Sequence, residues 1–273
     1  MIPASFDYTE VDSVEGAIAA LTEHGDEAKL IAGGHSLIPL MRFRLATPSV
    51  LVDIGRIEAM KSIRDGGDHV AIGALTNYRA IETSDLLLSQ TPLLTAVASQ
   101  IGDPQVRHRG TIGGSLAHAD PASDLPAVLL AMGGSVIAQG PNGTREIAAS
   151  DFFTGFLESA IADDEVITEV RLPKAPDAKW SFQKFNRRAQ DWAIVGVAAL
   201  ANGSTSVSLI NMGTTPLVAS AVQDAINSGA SITDAADQAA EGASPPSDLN
   251  GDAEYRSHLA RVLVRRALTE VSA

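Results

Sequence analysis

Apolar residues recur at three- and four-residue spacing over Val14–His24, at Val14, Ala17, Ile18 and Leu21, with Ser13 placed as a cap. That spacing predicts an amphipathic helix. The pattern then tightens. Residues 29–32 predict a short strand that stops at Gly33-Gly34, and Ser36 can cap the turn that follows through residues 37–41. The unbroken apolar run over residues 50–54 suits a buried, parallel strand. Further on, His69–Gly73 predicts a strand, residues 76–82 and 92–101 helices, and residues 125–132 a buried helix. Between the last two, residues 110–124 are rich in glycine and small side chains and predict a loop. Residues 135–138 and 144–147 flank Gln139-Gly140-Pro141-Asn142-Gly143, good hairpin chemistry, and residues 166–172 predict one more strand closed by Pro173. Residues 174–177 have the texture of a linker. Beyond them come three strands (182–186, 192–201, 206–212) and then three helices (219–227, 232–241, 253–271), an α+β order.

Three stretches follow from this pattern: 1–57, 58–176 and 177–273. The length of 273 residues agrees with more than one unit, since a domain takes about 100–200 residues. Hydrophobic residues make up 45% and charged residues 19%, which excludes global disorder. Acidic side chains outnumber basic ones by 33 to 20, giving a formal net charge of -13 that argues against nucleic-acid partners. There is no cysteine. Disulfides, iron–sulfur ligation, thiolate zinc sites and cysteine nucleophiles are therefore excluded, and any electron chemistry must be carried by a bound cofactor. No secretory signal or membrane-spanning run is apparent, so a cytoplasmic protein is expected.

The chemistry concentrates in two glycine loops. The first, Ala32-Gly33-Gly34-His35-Ser36, leads from a strand into a helix start. The second, Thr111-Ile112-Gly113-Gly114-Ser115, again brackets glycines with hydroxyls. Glycine lets backbone amides approach an anion, and a helix start adds its dipole. Two such loops suit the two phosphates of a dinucleotide, although glycine pairs are also ordinary turns. Neither loop is a Rossmann G-x-G-x-x-G or a P-loop. Asp120 either ends a turn or accepts hydrogen bonds from ligand hydroxyls or a ring N–H; Asp124 either caps the next helix or does the same. His35 and His118 sit in these loops and suit hydrogen bonding better than acid–base catalysis. Arg107 and Arg109 suit surface ion pairs better than phosphate, and no serine hydrolase context is present.

Three ordered segments resemble a known family: residues 32–37; residues 101–115, reading Ile-Gly-Asp-Pro-Gln-Val-Arg-His-Arg-Gly-Thr-Ile-Gly-Gly-Ser; and residues 184–195, reading Lys-Phe-Asn-Arg-Arg-Ala-Gln-Asp-Trp-Ala-Ile-Val. Together they look like the FAD-binding medium subunit of molybdenum hydroxylases, the xanthine dehydrogenase and carbon monoxide dehydrogenase family. The resemblance implies a fold of the vanillyl-alcohol-oxidase (PCMH) type, with FAD extended between an N-terminal α/β subdomain (1–57) and a middle α+β subdomain (58–176). A C-terminal domain (177–273) of three strands and a helical bundle follows. It also implies roles. Ala32, Gly33, Gly34, His35, Ser36 and Leu37, together with Gly110, Thr111, Ile112, Gly113, Gly114 and Ser115, would line the pyrophosphate site, with His118 and Asp120 nearby. Asp124 would hold polar atoms of FAD, Ile101 and Ile167 would pack on it, and Lys184 would contact it. Trp192 either stacks near the isoalloxazine or is a strand-end core aromatic. Ser115 departs from the asparagine that many members carry.

The implied function is an electron-transfer subunit. Substrate would be oxidised at a molybdopterin centre in a large subunit, and electrons would pass through two [2Fe–2S] clusters of a small subunit to FAD and an external acceptor. A heterotrimer or a dimer of heterotrimers is expected. The other readings are an autonomous flavoprotein, such as a MurB-like reductase or an oxidase, and a scaffold with structural FAD.

Overall fold

Val14–His24 forms because Ser13 accepts a hydrogen bond from the Gly16 amide (3.2 Å) and because Ala17, Ile18 and Leu21 share one buried face. Gly25, at φ 51°, turns the chain out of the helix and toward strand Ala28–Ile31. The computed structural model describes residues 2–272. Its first sheet is parallel and three-stranded, ordered Asp7–Glu10, Val50–Asp53, Ala28–Ile31. Val50–Asp53 is central and buried, as its apolar run requires. Asp7–Glu10 has no apolar alternation and was invisible to the pattern.

The second sheet is antiparallel and five-stranded, ordered Ile63–Asp65, His69–Gly73, Val166–Pro173, Ser135–Gly140, Gly143–Ala148. The predicted hairpin is present, with Gly140 paired to Gly143 and Gly143 at φ 110°. One hydrophobic core runs through both sheets.

One expectation is corrected in this region. Residues 110–124 are not a continuous loop: Ile112–His118 is a helix, capped by the Thr111 hydroxyl on the Gly114 amide (3.2 Å). Residues 174–177 connect the second sheet to the last one, as a linker would, and are held in place. Lys174 reaches Asp65 at 2.6 Å, and the Ala175 amide donates to the Gln90 carbonyl at 2.8 Å.

The last sheet, Lys179–Phe185, Val195–Asn202, Ser204–Ile210 and Leu217–Val218, has four antiparallel strands where three were expected. Helices Ser220–Asn227, Ile232–Asp237 and Ala253–Ser272 pack on it and close one core with it. Helix Asp124–Ala131 joins the halves. Ala127 and Ala131 pack against Ala198 and Ile210 of the last sheet. No described helix is long and apolar enough to cross a membrane.

Candidate functional site

A cleft of about 320 Å³ opens where the first loop meets the second. The parallel sheet supplies one wall, from the strand end at Ile31 through Ala32, Gly33, Gly34, His35, Ser36 and Leu37. The other wall carries Gly110, Thr111, Gly113, Gly114, Ser115 and His118, with Ile167 at its floor. The structure therefore brings both glycine loops to one place although about eighty residues separate them.

Each loop is close-fitting for a stated reason. A Cβ at Gly33 would collide with the Arg109 carbonyl, so the two loops touch backbone to backbone. Gly34 adopts φ 75°, which favours glycine. A Cβ at Gly113 would lie 2.8 Å from the Ala74 carbonyl oxygen. At Gly110 it would strike the ring of Tyr78. Ser36 makes no side-chain cap, contrary to expectation. The Gly34 and Ser36 carbonyls accept the Ile38 and Leu40 amides and start the turn without it.

Six expected residues lie outside the cleft lining. Ile112 is buried beneath it. Ile101 packs on the core, and its carbonyl accepts from Arg107, which also pairs with Glu82 at 3.1 Å. Asp120 closes a turn by accepting the Ala122 amide at 2.8 Å. Trp192 is 56% exposed, so it is not a core aromatic. Asp124 and Lys184 meet each other at 2.7 Å in a pair that is almost wholly buried. Asp124 is the first residue of its helix, not its cap. Burial pushes the Asp124 carboxyl above its ordinary value, against the pull of the Lys184 ammonium. Its Oδ1 has no hydrogen-bond partner.

Sequence reasoning missed Tyr78, which lines the cleft and is only 9% exposed. Burial, chiefly, and the nearby Asp124 charge push its phenol up to about 12, against the pull of the Ser115 hydroxyl. As one isolated aromatic in a short helix, it carried no periodic signal. Apolar side chains of Leu40, Ile54, Met60 and Leu75 complete the lining.

Glycines that leave no room for a Cβ and hydroxyls at Ser36, Thr111 and Ser115 line one cleft, a lining of the kind that suits an extended dinucleotide. The residues present fit FAD.

Comparison with known proteins agrees. Residues 4–175 match the family model described as the FAD binding domain in molybdopterin dehydrogenase, and residues 180–271 match the CO dehydrogenase flavoprotein C-terminal domain. The alpha subunit of the 6-hydroxypseudooxynicotine dehydrogenase complex of Paenarthrobacter nicotinovorans is 40% identical, the match covering 99% of this chain and 95% of that one. The carbon monoxide dehydrogenase medium chain of Hydrogenophaga pseudoflava is 38% identical over 98% of this chain and 97% of that one. A solved structure of carbon monoxide dehydrogenase from Hydrogenophaga pseudoflava, lacking the Mo-pyranopterin moiety, superposes with a TM-score of 0.96 at 39% identity, covering 100% of this chain and 99% of the other.

Proposed function

The chain belongs to the family of FAD-binding medium subunits of molybdenum hydroxylase oxidoreductases, and on that premise we propose that it is the electron-transfer flavoprotein subunit of such a complex. The observation that supports this most is the meeting of two glycine loops across one cleft, Gly33 against the Arg109 carbonyl. When bound, FAD supplies one- and two-electron chemistry, here joining the iron–sulfur clusters of a small partner subunit to an external acceptor.

The chain's own residues bind and orient. Ala32 to Leu37, with Gly110, Thr111 and Gly113 to Ser115, offer amides and hydroxyls to the pyrophosphate. His118 stands at the same mouth, Ile167 offers an apolar surface, and Ile101 and Ile112 hold the second loop from behind. Asp124, through its free oxygen, and Lys184 hold polar edges of the cofactor. Asp120 and Trp192 complete the proposed set. A PCMH-type arrangement, with subdomains 1–57 and 58–176 sharing FAD and 177–273 as the C-terminal domain, is part of the proposal. So are a cytoplasmic setting, a large molybdopterin-binding subunit and a heterotrimer or its dimer.

The substrate belongs to the partner. This chain resembles a carbon monoxide dehydrogenase medium chain and the alpha subunit of a 6-hydroxypseudooxynicotine dehydrogenase complex almost equally, at 38% and 40% identity. Co-expression with its partners tests the reading. Substrate-reduced clusters re-oxidise through the flavin in the complete complex and stay reduced in a complex stripped of FAD. An isolated chain that turns over NAD(P)H or an organic substrate unaided would identify an autonomous flavoenzyme. Equal re-oxidation with and without flavin would make FAD structural.

A further inference from the structure

We propose that Asn211 is a positioning residue for the flavin site: it bolts the loop that carries Trp192 to the turn that follows the second glycine loop. This rests on the flavin-subunit reading, in which Trp192 belongs to the cofactor set, and adds a residue to it.

Residues 186–194 join strand Lys179–Phe185 to strand Val195–Asn202. The outer part of this loop is open, with Arg187, Arg188 and Trp192 exposed. Its return end is held. Ala193 is buried against Ala127, Ala131 and Ile210, where helix Asp124–Ala131 meets the last sheet. Asn211 Nδ2 donates to the Ala193 carbonyl at 2.8 Å, and the wholly buried Arg256 donates to the Ile194 carbonyl. Both carbonyls that follow Trp192 are therefore fixed by side chains.

Asn211 stands one residue beyond strand Ser204–Ile210, at φ 61°. Asparagine tolerates that left-handed backbone better than most side chains. Glycine would serve the backbone alone; the amide is what reaches Ala193. In the same conformation the Asn211 backbone N–H donates to the Pro121 carbonyl at 2.8 Å. Pro121 lies in the turn between the Ile112–His118 helix and Asp124. One residue thus grips the turn with its main chain and the Trp192 loop with its side chain. A carbonyl only accepts, so the grip on Ala193 needs a donor and not merely the shape of the side chain.

Two substitutions in the full chain test this. Asn211→Gly keeps the left-handed backbone and the Pro121 bond and removes only the side chain. Asn211→Asp keeps the shape and sets an acceptor against a carbonyl. The chain has two tryptophans, so with Trp180→Phe in place Trp192 alone reports. Time-resolved fluorescence anisotropy of the flavin-free chain should show a larger fast component for Trp192 in both variants than with Asn211. FAD titration, read by quenching of flavin fluorescence, should weaken roughly threefold to tenfold, the scale of one neutral hydrogen bond. On a Trp192→Ala background Asn211→Gly should weaken it no further, because Asn211 acts through that loop. Unchanged Trp192 motion, wild-type FAD affinity in either variant, or the full loss persisting without Trp192 would overturn the proposal and leave the flavin-subunit reading standing. A wild-type chain that takes up no flavin even within its complex would overturn both.

Discussion

The two glycine loops have nearly the same composition and face the same cleft, yet they are built differently. The first hangs from the end of a parallel strand. Its helix, Leu37–Arg42, buries only Met41, has no side-chain cap and leaves Ile38 exposed, with Phe43 and Leu45 exposed just beyond it. The second is set into the core. Thr111 caps its helix, Gly113 lies against Ala74, Gly110 against Tyr78, and behind it stands the buried Asp124–Lys184 pair. Similar residues thus make one adaptable lip and one fixed wall. The difference comes from what each loop packs on, which a short motif does not encode.

Substitutions can break this contrast. The largest effect should come from Lys184→Met, which strands a buried carboxylate behind the fixed wall and should cost about 3–5 kcal/mol at neutral pH by urea unfolding. The sign of the pH dependence follows from the raised Asp124 value. A carboxyl whose pKa is higher folded than unfolded favours folding while protonated, and that contribution is lost as pH rises through the folded value. The variant's deficit should therefore shrink toward acid pH; a deficit that grows there would refute the assignment.

Gly113→Ala comes next, at about 1–3 kcal/mol, because its Cβ meets Ala74 backbone that cannot yield. Gly34→Ala on the lip should cost about 1 kcal/mol for the left-handed φ, since the atom it meets is the movable end of Ile38. Equal costs would erase the distinction between wall and lip.

Thr111→Ala and Ser36→Ala sharpen it at smaller scale. Loss of a working cap costs about 1 kcal/mol, whereas Ser36 caps nothing and its removal should shift unfolding by less than about 0.5 kcal/mol. The smallest signal is alkaline. Tyr78 should ionise near pH 12 instead of 10, so the stability its neutral phenol contributes persists below about 10 and fades as pH rises through 12. The difference in tyrosinate absorbance between wild type and Tyr78→Phe measures it.

Much of this was legible in the sequence. The Val14–His24 helix, the buried Val50–Asp53 strand and the hairpin at Gly140 and Gly143 follow from spacing and turn chemistry. Both loops announced themselves because glycine and hydroxyls act locally. What stayed hidden depends on distant neighbours. Two glycines argue against helix at about 1 kcal/mol each, yet Ile112–His118 is helical because Gly113 must pack where a side chain cannot. The Asp124–Lys184 pair joins residues sixty positions apart, so its two members read as separate ligands instead of partners. Tyr78 needed the Gly110 contact to be seen at all. Residues 174–177 read as a linker by composition, and that hydrogen bonds to Asp65, Asp68 and Gln90 pin them was not legible.

The central claim is that FAD is held where the two loops meet, and Gly33→Ala tests it most directly. The added methyl enters the contact with the Arg109 carbonyl and parts lip from wall, while Gly33 itself is at the rim and outside the core. Flavin content and FAD affinity of the full chain within its complex should fall at least tenfold, while the flavin-free protein should still fold, with a stability loss of about 1–3 kcal/mol, the scale of Gly113→Ala. One flavin per chain bound at wild-type affinity in Gly33→Ala would contradict the account.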